Sequence, residues 1–335
     1  MQGNDASNPK GLLNALFGLV LFGLLLTLGA YLKSQGLEFY LSTITRVLIY
    51  GIAACALNLA LGYAGLVSFG HAAFWGMGAY VTGILIQDGH TSGWLAFALS
   101  MLFCALLAAL IGVISLRTKG VYFIMITLAF SQMIFYLMNS NKSYGGDEGF
   151  NLSHRLDFGL GWDFKNPFYF YLLVLFCLGL TLWVISKIVN SRFGRVIQAQ
   201  KDDELRAGAI GFNVFAFQLC VFMISGALTG LAGSLMANQQ NYVSPALLNW
   251  TESGLLMMMV IFGGVGTVWG GLLGAIVILG LEEFLADYSE HFQFYVGWVL
   301  LLVVLFLPQG LISLFGPGRM RLRKSKANTG ASHGR

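Results

Sequence analysis

The sequence predicts an all-α, polytopic membrane protein of about ten transmembrane helices in two inverted five-helix halves, with short or broken third and eighth spans. Three observations carry this expectation. Of 335 residues, 57% are hydrophobic and only 10% charged, whereas an ordinary soluble domain has about 25% charged residues to face water. The apolar residues gather in ten runs near the length of a bilayer crossing, which takes about 20 residues. The 43 glycines let membrane helices approach closely and let a backbone break around a solute path.

The polar tail 1–10 precedes a first run, 11–32, that is too long for a signal-peptide core and stays as the first span. The others lie at 41–61, 66–86, 94–116, 120–138, 168–188, 214–237, 251–264, 266–286 and 293–315. The stretch 251–281 is too long for one upright crossing of about 30 Å and too short for two full ones. Gly263-Gly264-Val265-Gly266 supplies the break in its middle.

Lys and Arg near span ends favour the cytoplasm. The tail carries Arg319, Arg321, Arg323, Lys324, Lys326 and Arg335 with no acid; the connection after the sixth run carries Lys187, Arg192, Arg195, Lys201 and Arg206; the turn after the fourth carries Arg117 and Lys119. The opposite set is poor in bases: 87–93 has only Asp88, and 282–290 has Glu282, Glu283, Asp287 and Glu290. Ten crossings satisfy this pattern with both termini cytoplasmic, whereas a single crossing over 251–286 would put the basic tail outside. Cys55, Cys104, Cys177 and Cys220 all fall in apolar runs, which argues against structural disulfides and a metal site.

Five spans per half require the second half to run inverted. The stretch from Gly62 to His71 and Gly263-Gly264-Val265-Gly266-Thr267 then occupy corresponding places. Paired glycine-interrupted segments point to a transporter's pathway, and Asn58, Gly62, Gly65, Ser68, His71, Gly263, Gly264 and Gly266 are its candidate lining. The alternative is tight packing, as Gly226 with Gly230, or Gly266 with Gly270, would give at GxxxG spacing.

No Gly-Lys dipeptide or HExxH is present, so the chain has no phosphate loop or zinc-protease site, and no catalytic residue, metal or cofactor is expected. Polar residues inside spans are costly and need a reason. Gln132 is one such residue. Arg46 reads as snorkelling or paired with an acid, Glu252 as a helix N-cap, and His71 as an imidazole bonding a freed carbonyl or lining a path. Glu282, Glu283, Asp287 and His291 form the only cluster that a membrane-embedded enzyme could use, and an acidic outer hairpin explains it without chemistry. The inside stretch 193–211 reads as short amphipathic helices stopped at Gly211. Its acids Asp202, Asp203 and Glu204 favour a protein partner over a lipid anchor.

Ordered motifs give the chain a specific resemblance. They are Leu57-Asn58-Leu59, Gly62-Tyr63-Ala64-Gly65-Leu66, Ser68-Phe69-Gly70-His71-Ala72-Ala73-Phe74, Gly120-Val121-Tyr122-Phe123 and Gly145-Gly146-Asp147-Glu148-Gly149, followed by Gly194-Arg195, Ser225-Gly226-Ala227, Gly230-Leu231-Ala232-Gly233, Gly263 to Thr267 and Leu307-Pro308-Gln309-Gly310-Leu311. In this order the chain resembles the LivM-type permeases of bacterial ABC importers for branched-chain amino acids. The resemblance implies an inner-membrane complex with a homologous second permease, two cytoplasmic ATPases that bind the ATP, and an extracytoplasmic solute-binding protein, with the bilayer and no nucleic acid as further partner.

It also implies a permease domain over 11–315, an outer loop at 139–167, a cytoplasmic ATPase coupling loop at 190–213 and a basic tail at 316–335. Arg195, Asp202, Glu204, Ala207 and Gly211 are the coupling candidates, although Leu205 and Arg206 separate Glu204 from Ala207 where the usual motif is contiguous. The acidic Asp147-Glu148 departs from the usual outer-loop pattern, and related permeases carry urea, short amides or aromatic acids. The alternative function is an ion-coupled secondary carrier, against which the lack of a chain of intramembrane acids counts.

Overall fold

A computed structural model describes residues 9–159, 166–286, 292–306 and 310–311. Most of the two polar tails, with Asp163, Lys165, Asp287, Glu290, His291 and residues 307–309, lies outside the described residues. The chain is almost wholly helical: α1 (Pro9–Ser34), α2 (Glu38–Asn58) continued by a π-helical turn (Leu59–Tyr63), α3 (His71–Gln87), α4 (Gly93–Ser115), α5 (Val121–Ser140), α6 (Pro167–Asn190), α7 (Arg192–Asp202), α8 (Glu204–Ala209), α9 (Val214–Gln240), α10 (Trp250–Gly263), α11 (Gly270–Ala286) and α12 (Phe292–Phe306).

Among the described residues, five helices are long and apolar enough to cross a bilayer: Glu38–Tyr63, Gly93–Ser115, Val121–Ser140, Pro167–Asn190 and Val214–Gln240. The chain is therefore a multi-pass membrane protein. α3, with 17 residues, is about 25 Å long, and α10, with 14, only about 21 Å.

Local chemistry sets the boundaries. Asn166 caps α6, with Pro167 at the first helical position. Asn213 and Asn249 cap α9 and α10 with their side-chain oxygens. The third apolar run, expected to be helical from residue 66, is not helical before His71. Gly65 at φ +74° turns the backbone left-handed, a conformation that costs other residues about 1–2 kcal/mol, and 64–70 runs as irregular chain.

The two ends of the bundle differ. At one, β1 (Phe150–Asn151) and β2 (Tyr242–Val243) pair antiparallel, and Leu156 N donates to Asn238 Oδ1 at 3.2 Å. We call this the ribbon end. At the other, α7 and α8 form an elbow between α6 and α9. The core is built round α2, whose residues 48–58 are all buried, between α6, α9, α10 and α11.

Glycines permit the closest crossings. Gly226 and Gly230 face α4 at Ala108 and Cys104, so this GxxxG pair packs helices. Gly233 meets the Trp75 carbonyl of α3 so closely that a Cβ there would overlap it. Gly233→Val is expected to cost at least the ~1–3 kcal/mol of an overpacked core, seen as a lower Tm of the detergent-purified protein. Gly280→Ala, whose added methyl meets nothing within 4 Å, should leave Tm unchanged or slightly raised. All four cysteines are free, and Cys220 alone of them is exposed.

Candidate functional site

The two glycine breaks meet at the elbow end. Asn58, on the last turn of α2, donates through Nδ2 to the Thr267 carbonyl at 2.6 Å and accepts from Gly266 N at 2.9 Å. One carboxamide thus pairs with a donor and an acceptor of the loop between α10 and α11, and it is 1% exposed. Gly62 lies against the same loop; a Cβ there would collide with Asn58 Oδ1 and with the Gly266 backbone. Gly264 (φ +124°) and Gly266 (φ +76°) take backbone conformations that side chains disfavour. Gly263 presses on the Gly270 carbonyl, and Gly270 on Gly264. Asn58, Gly62, Gly263, Gly264 and Gly266 therefore form one cluster.

Gly65, Ser68 and His71 belong to the next stretch of chain. The side chain of Lys201 packs over Gly65. Ser68 Oγ accepts from Gly70 N at 3.1 Å, and Phe69 N donates to Thr127 Oγ1 at 3.3 Å, so a hydroxyl of α5 anchors the irregular segment. His71 is fully buried, edge-on to Phe74 and Phe222. Its Nε2 lies 2.8 Å from Ser225 Oγ, whose proton goes to the Ala56 carbonyl at 2.6 Å. The hydroxyl has one proton to give, so Nε2 carries the hydrogen of this pair. His71 is a strut between α3, α9 and α2.

A third interruption, missed in the sequence, crosses from the ribbon end. After Asn241 (φ +52°) the chain runs through β2 and the 3₁₀ turn Pro245–Leu248, and Leu248 packs on Gly76. Gly76 lies eleven residues before the end of α3, about 16 Å along the helix, so α10 starts well inside the bundle. There Ser253 Oγ accepts from Ala72 N and donates to the Phe69 carbonyl, both at 2.7 Å. The first turns of α3 and α10 meet at one hydroxyl. The only sequence signal was the polar, proline-bearing Asn241-Tyr242-Val243-Ser244-Pro245 between two apolar runs.

One expectation on charged residues is overturned and another narrowed. Glu252 is not the cap of α10: Asn249 accepts from Thr251 N at 3.2 Å, and the Glu252 carboxylate turns to α2, where it accepts from Tyr50 OH at 3.1 Å. Arg46 makes no ion pair among the described residues and lies 5.9 Å from the Tyr50 ring centre. Gln132 Nε2 is buried with no partner among the described residues.

The elbow is tied to the first break. Lys201 Nζ donates to the Gly62 carbonyl at 2.5 Å, a carbonyl in the π-helical turn. Glu204 pairs with Lys119 and accepts from Gln218 Nε2 at 3.4 Å. A cavity of about 280 Å³ lies between residues 64–67, the turn at 118–120 and α7–α8. Asp203 caps α8, accepting from Arg206 N at 3.1 Å; Ala207 is buried; Gly211, at φ +98°, ends the helix. Arg195 and Asp202 are exposed. So are two apolar side chains, Leu205 (85%) and Ile210 (76%), which a monomer has no reason to offer to water.

Comparison with known proteins agrees with this architecture. The family described as branched-chain amino acid transport system / permease component matches residues 39–307. The high-affinity branched-chain amino acid transport system permease protein LivM of Salmonella typhimurium is 29% identical over 96% of this chain and 82% of its own length. LivH of Escherichia coli, named for the same transport system, is 24% identical over 78% of this chain and 91% of its own. The autoinducer 2 import system permease protein LsrC of an Enterobacter species is 28% identical over 80% and 76%. No solved structure matches significantly. With over three quarters of its length inside the family's match, and with the helical bundle, glycine breaks and helical elbow described above, the chain belongs to the family of branched-chain amino acid transport system permease components.

Proposed function

We propose that the chain is the membrane-spanning permease subunit of an ABC importer that passes branched-chain amino acids, or a closely related small polar solute, across the bacterial inner membrane. In this reading ten helices cross the membrane in two inverted halves, with both termini and the elbow in the cytoplasm and the ribbon end outside. An axis in the membrane plane exchanges the two faces, so in this reading the inverted counterpart of 64–70 is the interruption at 241–249 and not, as the sequence suggested, the break at 263–267, which lies at the same end as 62–65. A second permease completes the pathway, two ATPases dock on the elbow, and a solute-binding protein docks on the ribbon end, where the exposed Asp147 and Glu148 lie. The permease itself is non-catalytic.

The observation that carries the reading is the bond from Lys201 to the Gly62 carbonyl. It joins the element placed to receive an ATPase to the glycine cluster held by Asn58. A displacement of α7–α8 is thereby transmitted to the chain that closes the cytoplasmic end, which gives ATP a differential hold on two states.

Reconstitution tests it. Vesicles holding this chain, its partner permease, both ATPases and the binding protein should import leucine only with ATP. Lys201→Met keeps the aliphatic stem and removes the donor; losing a charged hydrogen bond worth about 1.5–3 kcal/mol should lower import about tenfold or more. Because coupling is reciprocal, stimulation of the ATPase by the binding protein should weaken with it. Uptake by the chain without ATPase subunits, following an ion gradient, would instead establish a secondary carrier.

A further inference from the structure

A second cavity, of about 430 Å³, opens in the ribbon-end half of the bundle between α2, α10, α11 and α12. This is within the usual size of a small-molecule pocket. Its polar groups are Arg46, Tyr50, Thr251, Glu252 and Glu282. They come from three helices, and Tyr50 and Glu252, 202 residues apart in sequence, are hydrogen-bonded. Arg46 Nε is buried with no partner among the described residues. An arginine and two glutamates inside a membrane protein carry a desolvation cost that demands a use. Here the three charges share one cavity, yet the guanidinium is paired to neither acid. The rest of the wall is aliphatic: Leu255, Met258, Ile278 and Val296.

We propose that this cavity is the permease's own receiving site for a zwitterionic, aliphatic amino acid. The guanidinium of Arg46 takes the carboxylate, Glu252 and Glu282 take the ammonium, and the aliphatic wall takes the side chain. The charge pattern chooses among the solutes carried by such permeases. Urea and short amides are neutral and would leave the three charges that face the cavity uncompensated. An aromatic acid is an anion, which two carboxylates would repel. A zwitterion matches both signs, and Arg suits its carboxylate because the guanidinium binds it in a bidentate fork.

The placement of Glu252 connects the site to the rest of the path. It stands beside Ser253, whose hydroxyl joins the starts of α3 and α10. A ligand drawn to Glu252 therefore acts on the first turn of α10, one residue from the contact with 64–70.

The inference rests on the importer reading, and the two can fail separately. In the reconstituted complex, Arg46→Gln and Glu252→Gln should each cut leucine import about tenfold or more, with ATPase stimulation by loaded binding protein kept within about twofold. Arg46→Lys should recover part of the import. Direct occupancy is read on the complex in nanodiscs without ATP, by methanethiosulfonate labelling of Thr251→Cys in a Cys220→Ser background; Thr251 is an exposed lining residue. Leucine should slow the labelling. Isopentylamine, which lacks the carboxylate, and isocaproate, which lacks the amine, should not, and Arg46→Gln should abolish the protection.

Wild-type import by Arg46→Gln, or equal protection by the amine or the acid, overturns the site and leaves the importer standing. Parallel loss of import and ATPase stimulation in Arg46→Gln and Arg46→Lys also overturns it, because that pattern is structural. A wild-type complex that imports no solute with ATP overturns both, and one that imports only solutes other than α-amino acids overturns the site alone.

Discussion

Leu205→Asp combined with Ile210→Asp is expected to strip the ATPase subunits from the complex. Both side chains stand on or just beyond α8, 85% and 76% exposed, on a helix whose shape is fixed independently of them. Asp203 caps its start, Ala207 is its buried contact, and Gly211 ends it in a left-handed turn. The substitutions therefore leave the elbow's fold intact and change only what it offers a partner. Two carboxylates set into an apolar docking surface must be desolvated without a counter-charge, a cost of several kcal/mol, against about 1.4 kcal/mol for each tenfold in affinity. The measurement is co-purification of the ATPases with the tagged permease, together with ATP-driven import. Both should fall to background while the thermal stability of the permease alone is unchanged. Retention of the ATPases would mean that docking uses another surface.

What could be read in the sequence divides along a physical line. Features set by solvent were legible: apolar runs mark helices because a bilayer core admits little else. The stop at Gly211 and the interruptions at Gly65 and Gly264 were legible because a glycine's backbone freedom is a local property. Asn58 stood out because an amide in an apolar run needs a partner.

The partners themselves were not legible. Lys201 reads as one more base on the inner side, fully explained by the positive-inside rule, and nothing local announces a bond to Gly62, 139 residues away. His71 and Ser225, or Tyr50 and Glu252, meet only after helices distant in sequence have packed. The segment at 241–249 falls between the runs 214–237 and 251–264 and so reads as an ordinary connection; nothing local announces that it enters the bundle to pack Leu248 on Gly76. Glu252 was read as a cap from its position alone, and Asn249, three residues earlier, takes that role with a shorter side chain.

Asn58→Leu should open the pathway at the elbow end. Leucine has the same number and branching of side-chain heavy atoms but can bond neither the Thr267 carbonyl nor the Gly266 amide, which Asn58 now pairs at 2.6 and 2.9 Å. Each backbone group left unpaired in a buried place costs about 1–3 kcal/mol, so the loop is favoured in arrangements where those groups reach water. In a closed pathway the nearest water lies at the elbow end, and reaching it means moving off Gly62.

The expected result is passive efflux of preloaded leucine from vesicles without ATP, above wild type, with ATPase activity less dependent on the binding protein. Asn58→Asp separates this from simple misfolding. It keeps the acceptor for Gly266 N but sets a carboxylate oxygen against the Thr267 carbonyl, so it too should leak, by repulsion rather than by loss. Asn58→Gln keeps both functions on a longer arm and should leak least. If all three variants are equally unstable in detergent and none leaks, Asn58 is a packing residue, and the closure at the elbow end depends on the direct contact between Gly62 and Gly266.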